Sequence, residues 1–353
     1  MMPLSQTATW REIHAQPAIW QAWGQTLDVA ALRAWIAALQ VPEIWLCGAG
    51  SSAYIGEIIA AGLQGQTGPR LCAIATTDIV ARPHAYLRGE PRLVISFGRS
   101  GNSAESIGLL DALDALAPDW PRLNVTCNAA SHLAARAGCK VICLPEACHD
   151  AGFAMTSSFS TMLLTALSLL DQTLTPKQSP KRWADLAKDL TALLPAYAAQ
   201  ASGLRRPDRA VFLGSGALAF AAREAALKVM ELSAGQTPAL WDSALGFRHG
   251  PKSFVDQGTQ IWLFRSFTAQ TLAYEADLAV ELAQQFPHSP LHLPQLPQPY
   301  PEPWAAPLYV ALAQVLAAVW SDSMGFDVDD PFAGKGTLTR VVAHVRLHPV
   351  EAC

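Results

Sequence analysis

A serine-rich turn, SFGRSGNSAES at 96–106, lies between an apolar segment and the start of a helical segment. Ser100, Asn102, Ser103 and Ser106 place four polar side chains within seven positions. A phosphate monoester needs several short donors around its oxygens, and the N-terminus of a helix adds a favourable dipole. Helix capping would explain one such side chain. The spacing therefore favours a phosphate site.

A second polar turn, GAGSS at 48–52, follows an apolar strand and opens an apolar helix. Its glycines let the backbone bend sharply and approach a ligand. The same arrangement returns as GSGAL at 214–218, so the sequence predicts an internally duplicated chain. The predicted phosphate-binding residues of the first half are Ser51, Ser52, Arg99, Ser100, Asn102 and Ser103.

A helix in the second half, REAALKVMEL, carries a candidate for proton transfer. Glu224, Lys228 and Glu231 are spaced i, i+4 and i+7 and so lie on one helical face. A solvated stripe of charge explains Glu224 and Lys228 equally well. Glu231 lies among apolar neighbours, and burial disfavours the charged form of a carboxylate, which suits it to moving protons near neutrality.

A lone histidine, His249 in GFRHGPKS, lies between two glycines in a predicted loop. Imidazole titrates near neutral pH and can reach into a cleft from such a loop. An ordinary surface histidine is the alternative.

Apolar strands alternate with helical segments in both halves of the chain. This spacing predicts an α/β fold in which each half is a parallel sheet with helices on both faces. We predict strands at 71–75, 123–128, 139–146, 211–216 and 259–264, a strand, turn and helix over 93–113, and helices at 8–40, 157–170 and 269–286. Eight prolines in 287–307 leave room for only a short strand there.

The composition excludes several classes of protein. The 353 residues are 51% hydrophobic and 15% charged, which suits well-filled cores. A net charge of −4 without a basic block argues against nucleic acid and anionic membranes as partners. We interpret 162–170 as the longest apolar stretch, too short to span a bilayer, and find no export signal. These features predict a soluble, cytoplasmic protein.

The seven cysteines are an odd number in a chain without an export signal, so we expect no disulfide framework. Cys139, Cys143, Cys148 and His149 could be imagined as a zinc site, but their spacing fits no paired CxxC motif and the segment is typical of a strand. We predict neither a metal nor a cofactor.

Six motifs, in this order, resemble double sugar-isomerase (SIS) domain proteins of the galactosamine-6-phosphate deaminase/isomerase (AgaS) type, also labelled tagatose-6-phosphate ketose/aldose isomerases. They are GAGSSAYIG, SFGRSGNSAES, VTCNAASHLA, AMTSSFSTM, EAALKVMELSAG and LGFRHGPKSF, and the resemblance runs from about residue 10 to DVDDPFAGKGTLTRVVAHV. The isomerase half of glucosamine-6-phosphate synthase is a more distant relative. Because no glutaminase domain precedes residue 10, we do not expect ammonia-donating synthesis.

The resemblance implies two tandem SIS domains, each doubly wound and flavodoxin-like, and roles for individual residues. Glu231, with Lys228, would be the catalytic base, and His249 would open the sugar ring. In the relatives this histidine comes from the neighbouring subunit, which implies a homodimer. Thr156 and Ser157 would border the sugar, although capping of the helix at 157–170 explains them equally well. Glu224 is a further candidate.

The chain departs from the synthase at two places. Gly98 stands where the synthase has a serine before its second phosphate serine. Lys335 is offset from a C-terminal lysine that meets the open-chain sugar, so it is only a candidate contributor, and Arg340 is a candidate structural anchor.

These inferences predict an arm at 1–40, a first SIS domain at 41–175, a helical linker at 176–208 and a second SIS domain at 209–353. The expected activity is conversion of galactosamine 6-phosphate to tagatose 6-phosphate and ammonia. Three alternatives remain: a glucosamine-6-phosphate deaminase, a simple aldose–ketose isomerase, and a sugar-phosphate sensor without activity. The enolisation step is shared, so the sequence does not separate the enzymes.

Overall fold

The computed structural model describes residues 2–342 and 345–350, and these form two compact units. The front unit comprises 18–150, 157–184 and the described residues from 338 on. The back unit comprises the described residues up to 17, 151–156 and 185–337. The predicted domain limits stay a prediction.

The strands follow one another along the chain as a first set of five and a second set of four. They are β1 Glu43–Gly48, β2 Arg70–Ala75, β3 Leu93–Gly98, β4 Arg122–Thr126, β5 Lys140–Cys143, β6 Arg209–Gly214, β7 Ala239–Ser243, β8 Thr259–Leu263 and β9 Leu291–His292. The helices are α1 Ala8–Thr26, α2 Val29–Ala38, α3 Ser51–Gly62, α4 Thr76–Ala81, α5 Pro83–Tyr86, α6 Ala104–Leu116, α7 His132–Ala135, α8 Ser157–Leu170, α9 Ser179–Gly203, α10 Ala217–Leu232, α11 Ala269–Gln285 and α12 Glu302–Ser323.

The front unit is built on a parallel sheet in the order β2-β1-β3-β4-β5. One face is covered by α4 and α6, whose Ile79, Leu109 and Leu113 pack on Trp45 and Val94 of the sheet. The other face carries α3 and α8. The α3 helix approaches β1 so closely that a Cβ on Gly56 would lie 2.8 Å from the carbonyl oxygen of Leu46. This is the flavodoxin-like order, and the predicted fold class is confirmed.

The back unit repeats the order with a shorter parallel sheet, β7-β6-β8-β9. On one face, Val211 and Ile261 pack against Phe247 and against Leu278 and Leu282 of α11. On the other face, Phe264 stacks on Tyr309 of α12, with ring centroids 4.8 Å apart. The α10 helix packs along α12 and therefore lies on this second face.

Helix α12 is the buried centre of the back unit. Its 22 residues are long and apolar enough to cross a membrane, but 94% of its apolar window is buried. The prediction that 162–170 is the longest apolar stretch is therefore wrong.

Most predicted elements are present, with differences in one helix and one strand. The helix predicted over 8–40 is two helices, because Asp28 accepts the N–H of Ala31 at 3.0 Å and starts α2 there. The edge strand β7 was not predicted, since it is five residues long and only half-buried. The proline-rich segment forms a strand of two residues, β9, as expected.

Candidate active site

The two polar turns of the front unit lie side by side at the carboxyl edge of its sheet. They follow β1 and β3, which are hydrogen-bonded neighbours with Cys47 opposite Ser96. The chain leaves β1 toward β2 on one side and returns to β3 on the other, so the turns meet where the strand order reverses. Ligands of open α/β sheets bind at this switch point. The fold thus brings the predicted phosphate-binding residues of both turns to one place.

The first turn begins α3 without a side-chain cap. Gly50 adopts φ 56° and ψ −132°, a conformation open only to glycine at ordinary cost. A Cβ on Gly48 would lie 2.4 Å from the backbone of Ser52, so glycine is required there as well. Ser51 and Ser52 follow in the first turn of α3, and both are buried.

The second turn is stabilised by its own polar side chains. The Ser100 hydroxyl oxygen accepts the N–H of Asn102 at 3.2 Å and keeps its proton for a further partner. Ser103 caps α6 by accepting the N–H of Ser106 at 3.3 Å, and the Asn102 side chain accepts the N–H of His132 at 2.9 Å. Helix capping therefore explains Ser103, whereas Ser100 keeps a hydroxyl proton to donate.

Two arginines place positive charge beside this turn. Arg99 is buried, and its guanidinium donates to the carbonyl of Arg340 at 2.8 Å. Arg340 donates in turn to the carbonyl of Asp150 at 2.7 Å, as the predicted structural anchor would. Burial, and then the charges of Arg340 and Arg99, lower the pKa of His149. A phosphoryl group would meet the same positive field.

Asp150 is a structural centre that the sequence analysis missed. Its carboxylate is fully buried and accepts the N–H and hydroxyl of Ser157 at 3.0 and 2.6 Å. It also accepts the N–H and hydroxyl of Ser158. Asp150 lies seven residues before Ser157, too far for a local cap, so no sequence signal marks it. The Ser157 hydroxyl therefore takes part in starting α8. Thr156, the residue before it, is buried, and its carbonyl accepts a hydrogen bond from the side-chain amide of Gln314 at 3.5 Å.

The charged residues of α10 form a buried cluster in the back unit. The Lys228 Nζ lies 3.2 Å from Glu224 Oε1 and 2.5 Å from Glu231 Oε2. The side chains of Glu224 and Lys228 are 0% exposed and that of Glu231 is 23% exposed. Burial opposes the charge of Lys228, but the two carboxylates together outweigh it and raise its pKa. A solvated stripe is therefore ruled out, and Glu231 is the member of the cluster that solvent or a ligand can reach.

His249 is exposed at the end of a short turn, Gly246–His249, that follows β7. The turn is held from both sides: Phe247 is buried under the sheet, and Arg248 pairs with Glu281 of α11 at 2.8 Å. Among the described residues, none forms a hydrogen bond with the imidazole, which leaves it available to a ligand or another subunit.

The turn before His249 and the helix that carries Glu231 pack on different faces of the back sheet. Phe247 packs on the Val211 face together with α11. Glu231 belongs to α10, which lies with α12 on the Phe264 face. The turn that ends at His249 is therefore anchored on one face of the sheet, and the helix that carries Glu231 lies on the other.

Lys335 is held by aromatic rings of the back unit. Its Nζ lies 4.6 Å from the ring centroid of Phe326 and 5.7 Å from that of Phe332. It is an exposed residue whose charge is stabilised by the rings. Parts of the C-terminal motif, Ala343 and His344, lie outside the described residues.

Within residues 2–342 and 345–350, no group of three or more His, Cys, Asp or Glu side chains is arranged to bind a metal ion. The described cysteines are free; Cys127 and Cys148 lie closest, with sulfurs 3.7 Å apart, and Cys353 lies outside the described residues.

Known proteins resemble this chain over nearly its whole length, although no family model matches it. D-galactosamine-6-phosphate deaminase AgaS of Escherichia coli is 36% identical over 384 residues, covering 98% of this chain and 97% of that protein. The protein of the same name from Shewanella sp. (strain ANA-3) is 37% identical over 361 residues, covering 97% and 92%. The crystal structure of tagatose-6-phosphate ketose/aldose isomerase from Escherichia coli superposes with a TM-score of 0.87 at 34% identity, covering 99% and 98%.

Proposed function

The chain belongs to the AgaS family of D-galactosamine-6-phosphate deaminases, and from this premise we propose that it converts galactosamine 6-phosphate and water to tagatose 6-phosphate and ammonia. It is an enzyme with two tandem SIS domains. The observation that carries the proposal, beside the family, is the buried Glu224–Lys228–Glu231 cluster. A sensor would need no buried ion cluster that presents one carboxylate to a ligand.

The proposed reaction consists of proton transfers and one hydrolysis. The front turns hold the 6-phosphate through Ser52, Ser100 and the positive field of Arg99. His249 moves the proton of the anomeric hydroxyl to the ring oxygen and opens the ring. Glu231, oriented by Lys228, removes the proton from C2 to give an enolamine and returns it at C1. Water then adds to the C2 iminium, ammonia leaves, and the ketose remains.

The active site is, in this proposal, shared between two subunits of a homodimer. The turn that ends at His249 and the helix that carries Glu231 are anchored on opposite faces of the back sheet, which supports a site whose two groups come from different chains. A neighbouring subunit can supply the imidazole from its exposed turn. The closed dimer has two such sites, each with Glu231 of one chain and His249 of the other.

We place the reaction in the cytoplasm. The described cysteines are free, including buried Cys127 and Cys148 at a sulfur separation of 3.7 Å, which suits a reducing compartment.

The test is to incubate the purified protein with galactosamine 6-phosphate, glucosamine 6-phosphate and their N-acetyl forms, and to assay ammonia and ketose together. We expect ammonia and tagatose 6-phosphate in equal amounts from galactosamine 6-phosphate. Ammonia from glucosamine 6-phosphate alone would indicate the gluco enzyme. Galactose 6-phosphate, which has a hydroxyl at C2, is assayed beside them, and ketose from it together with no ammonia from the amino sugars would indicate a simple isomerase. Binding of these sugars without any product would contradict catalysis.

A further inference from the structure

The segment that follows β4 supports the second polar turn from the side away from the first turn. In the sheet β3 lies between β1 and β4, and Gly98 at the end of β3 is paired with Thr126 at the end of β4. The second turn therefore has the first turn on one side and residues 127–133, the β4 segment, on the other. This segment lies in the motif VTCNAASHLA, which the proposed reaction does not use.

Two successive carbonyl groups of the second turn are bound by the β4 segment. The side-chain amide of Asn128 donates to the carbonyl of Ser100 at 3.1 Å, and the N–H of Leu133 donates to the carbonyl of Gly101 at 3.2 Å. The two segments are so close that a Cβ on Gly101 would lie 2.4 Å from the Ser131 hydroxyl oxygen. Of the two donors, only Asn128 uses a side chain, so its contact depends on the residue type.

The carboxamide of Asn128 is bound at both ends. Its oxygen accepts the N–H of Ala130 at 3.0 Å, while its nitrogen donates to Ser100. Aspartate could accept from Ala130 but has no donor for the carbonyl of Ser100, and the shorter serine could form only the local turn. Asparagine therefore meets two demands that neither of these residues meets.

These contacts fix the direction in which the turn presents its donors. The C=O and N–H of a planar trans peptide group point in opposite directions. With the carbonyls of Ser100 and Gly101 bound to the β4 segment, the N–H groups of Gly101 and Asn102 point away from it. The N–H of Asn102 holds the Ser100 hydroxyl oxygen at 3.2 Å, and the N–H of Gly101 has no acceptor in the part of the chain that the structure describes.

We propose that Asn128 is a positioning residue for the phosphoryl group of the substrate. It holds the peptide group between Ser100 and Gly101, so that the hydroxyl of Ser100 and the N–H of Gly101 are oriented before the ligand arrives. Donors that are already ordered lose less conformational freedom on binding, which raises affinity. The inference rests on the proposed function, in which this turn holds the 6-phosphate.

The experiment compares N128S and N128D with the parent enzyme. Both variants keep an acceptor for the N–H of Ala130 and lose the donor to Ser100, and aspartate adds a negative charge. We expect the dissociation constant of inorganic phosphate, measured by calorimetry, to rise about fivefold in N128S, as for one lost hydrogen bond, and further in N128D. KM for galactosamine 6-phosphate should rise by the same factor with kcat unchanged, because the phosphoryl contact is the same in the ground and transition states.

Gln66 offers a matched control, because its amide also joins two backbone groups of the front unit. It donates to the carbonyl of Leu170 at 2.9 Å and accepts the N–H of Gln172 at 3.1 Å. It precedes β2 and so lies at the amino edge of the sheet, opposite the edge that carries the turns. We expect Q66S to lower the free energy of unfolding while the phosphate dissociation constant and KM keep their parent values.

Three outcomes overturn the inference: N128S binds phosphate as tightly as the parent, Q66S weakens phosphate binding as much as N128S does, or kcat falls while KM stays unchanged. Circular dichroism checks folding, and N128D takes the place of N128S if the latter does not fold. An error in the proposed function shows separately. The parent then releases no ammonia from galactosamine 6-phosphate, or S52A/S100A binds inorganic phosphate as tightly as the parent.

Discussion

At the scale of single residues, a substitution of Glu231 tests catalysis separately from binding. We expect E231Q to keep affinity for the sugar phosphate, because the front turns are untouched, and to lose about 10²–10⁴-fold in turnover. Steady-state ammonia release and a separate binding titration measure the two quantities. E90Q, at an exposed glutamate, is the matched control. Near-normal turnover in E231Q would show that another group moves the C2 proton.

Lys228 is the cation on which the buried cluster depends. Replacing it in K228M leaves two carboxylates close together, one of them fully buried, without the charge that holds them. We expect the free energy of unfolding to fall by about 3–5 kcal/mol. Urea unfolding measures this, and the double variant K228M/E224L should recover much of the loss because no charge then stays buried. A single variant as stable as the parent would contradict the role of the ion pair.

Glu275 makes stability depend on pH. Burial first, and then the charge of Glu302, raise its pKa above the ordinary 4.5, although Ser215 and Ser266 partly offset this. Between 4.5 and the raised value the folded state keeps a proton that the unfolded chain releases, so stability falls as pH rises through this interval. E275Q should flatten that part of the curve of unfolding free energy against pH. Parallel curves for the two proteins would refute the assignment.

At the scale of elements, helix α8 depends on a carboxylate from outside itself. D150A removes the acceptor of two backbone N–H groups and two serine hydroxyls, and we expect it to cost about 3 kcal/mol. D28A, which removes the exposed local cap of α2, should cost about 1 kcal/mol. Chemical unfolding compares the two. Equal losses would mean that the buried network around Asp150 contributes no more than an ordinary cap.

Elements with strong local patterns were predictable from the sequence, and contacts between distant segments were not. The glycine turns at 48–52 and 214–218 mark the boundary between a strand and a helix, because few residues other than glycine adopt the positive φ that these turns require. The strand β7 lacks such a signal, being short and half-buried. How elements pack decides on which faces of the back sheet the His249 turn and α10 are anchored. It also decides the hydrogen bonds of Asp150 to α8 and of Glu302 to Ala217. Helical spacing did place Glu224, Lys228 and Glu231 together, but it did not reveal that two of them are buried.

At the scale of the whole molecule, shared active sites can be tested by complementation. E231Q and H249A should each be inactive, but when co-expressed they can form a dimer with one intact site. Random pairing then restores about a quarter of the parent activity. The control pairs E231Q with E231Q/H249A and should restore none. If differently tagged E231Q and H249A chains purify together and stay inactive, Glu231 and His249 act within one chain.

Helix α12 has a consequence for how the protein is made. Residues 302–323 are synthesised after the strands of the back sheet that they cover. The aromatic side chains of Phe212 and Phe264, buried in the folded protein, therefore stay exposed until late in synthesis. A nascent chain at that stage presents a wide apolar surface and invites aggregation. We expect its yield in cells to depend on chaperone supply more than the stability of the finished enzyme would suggest.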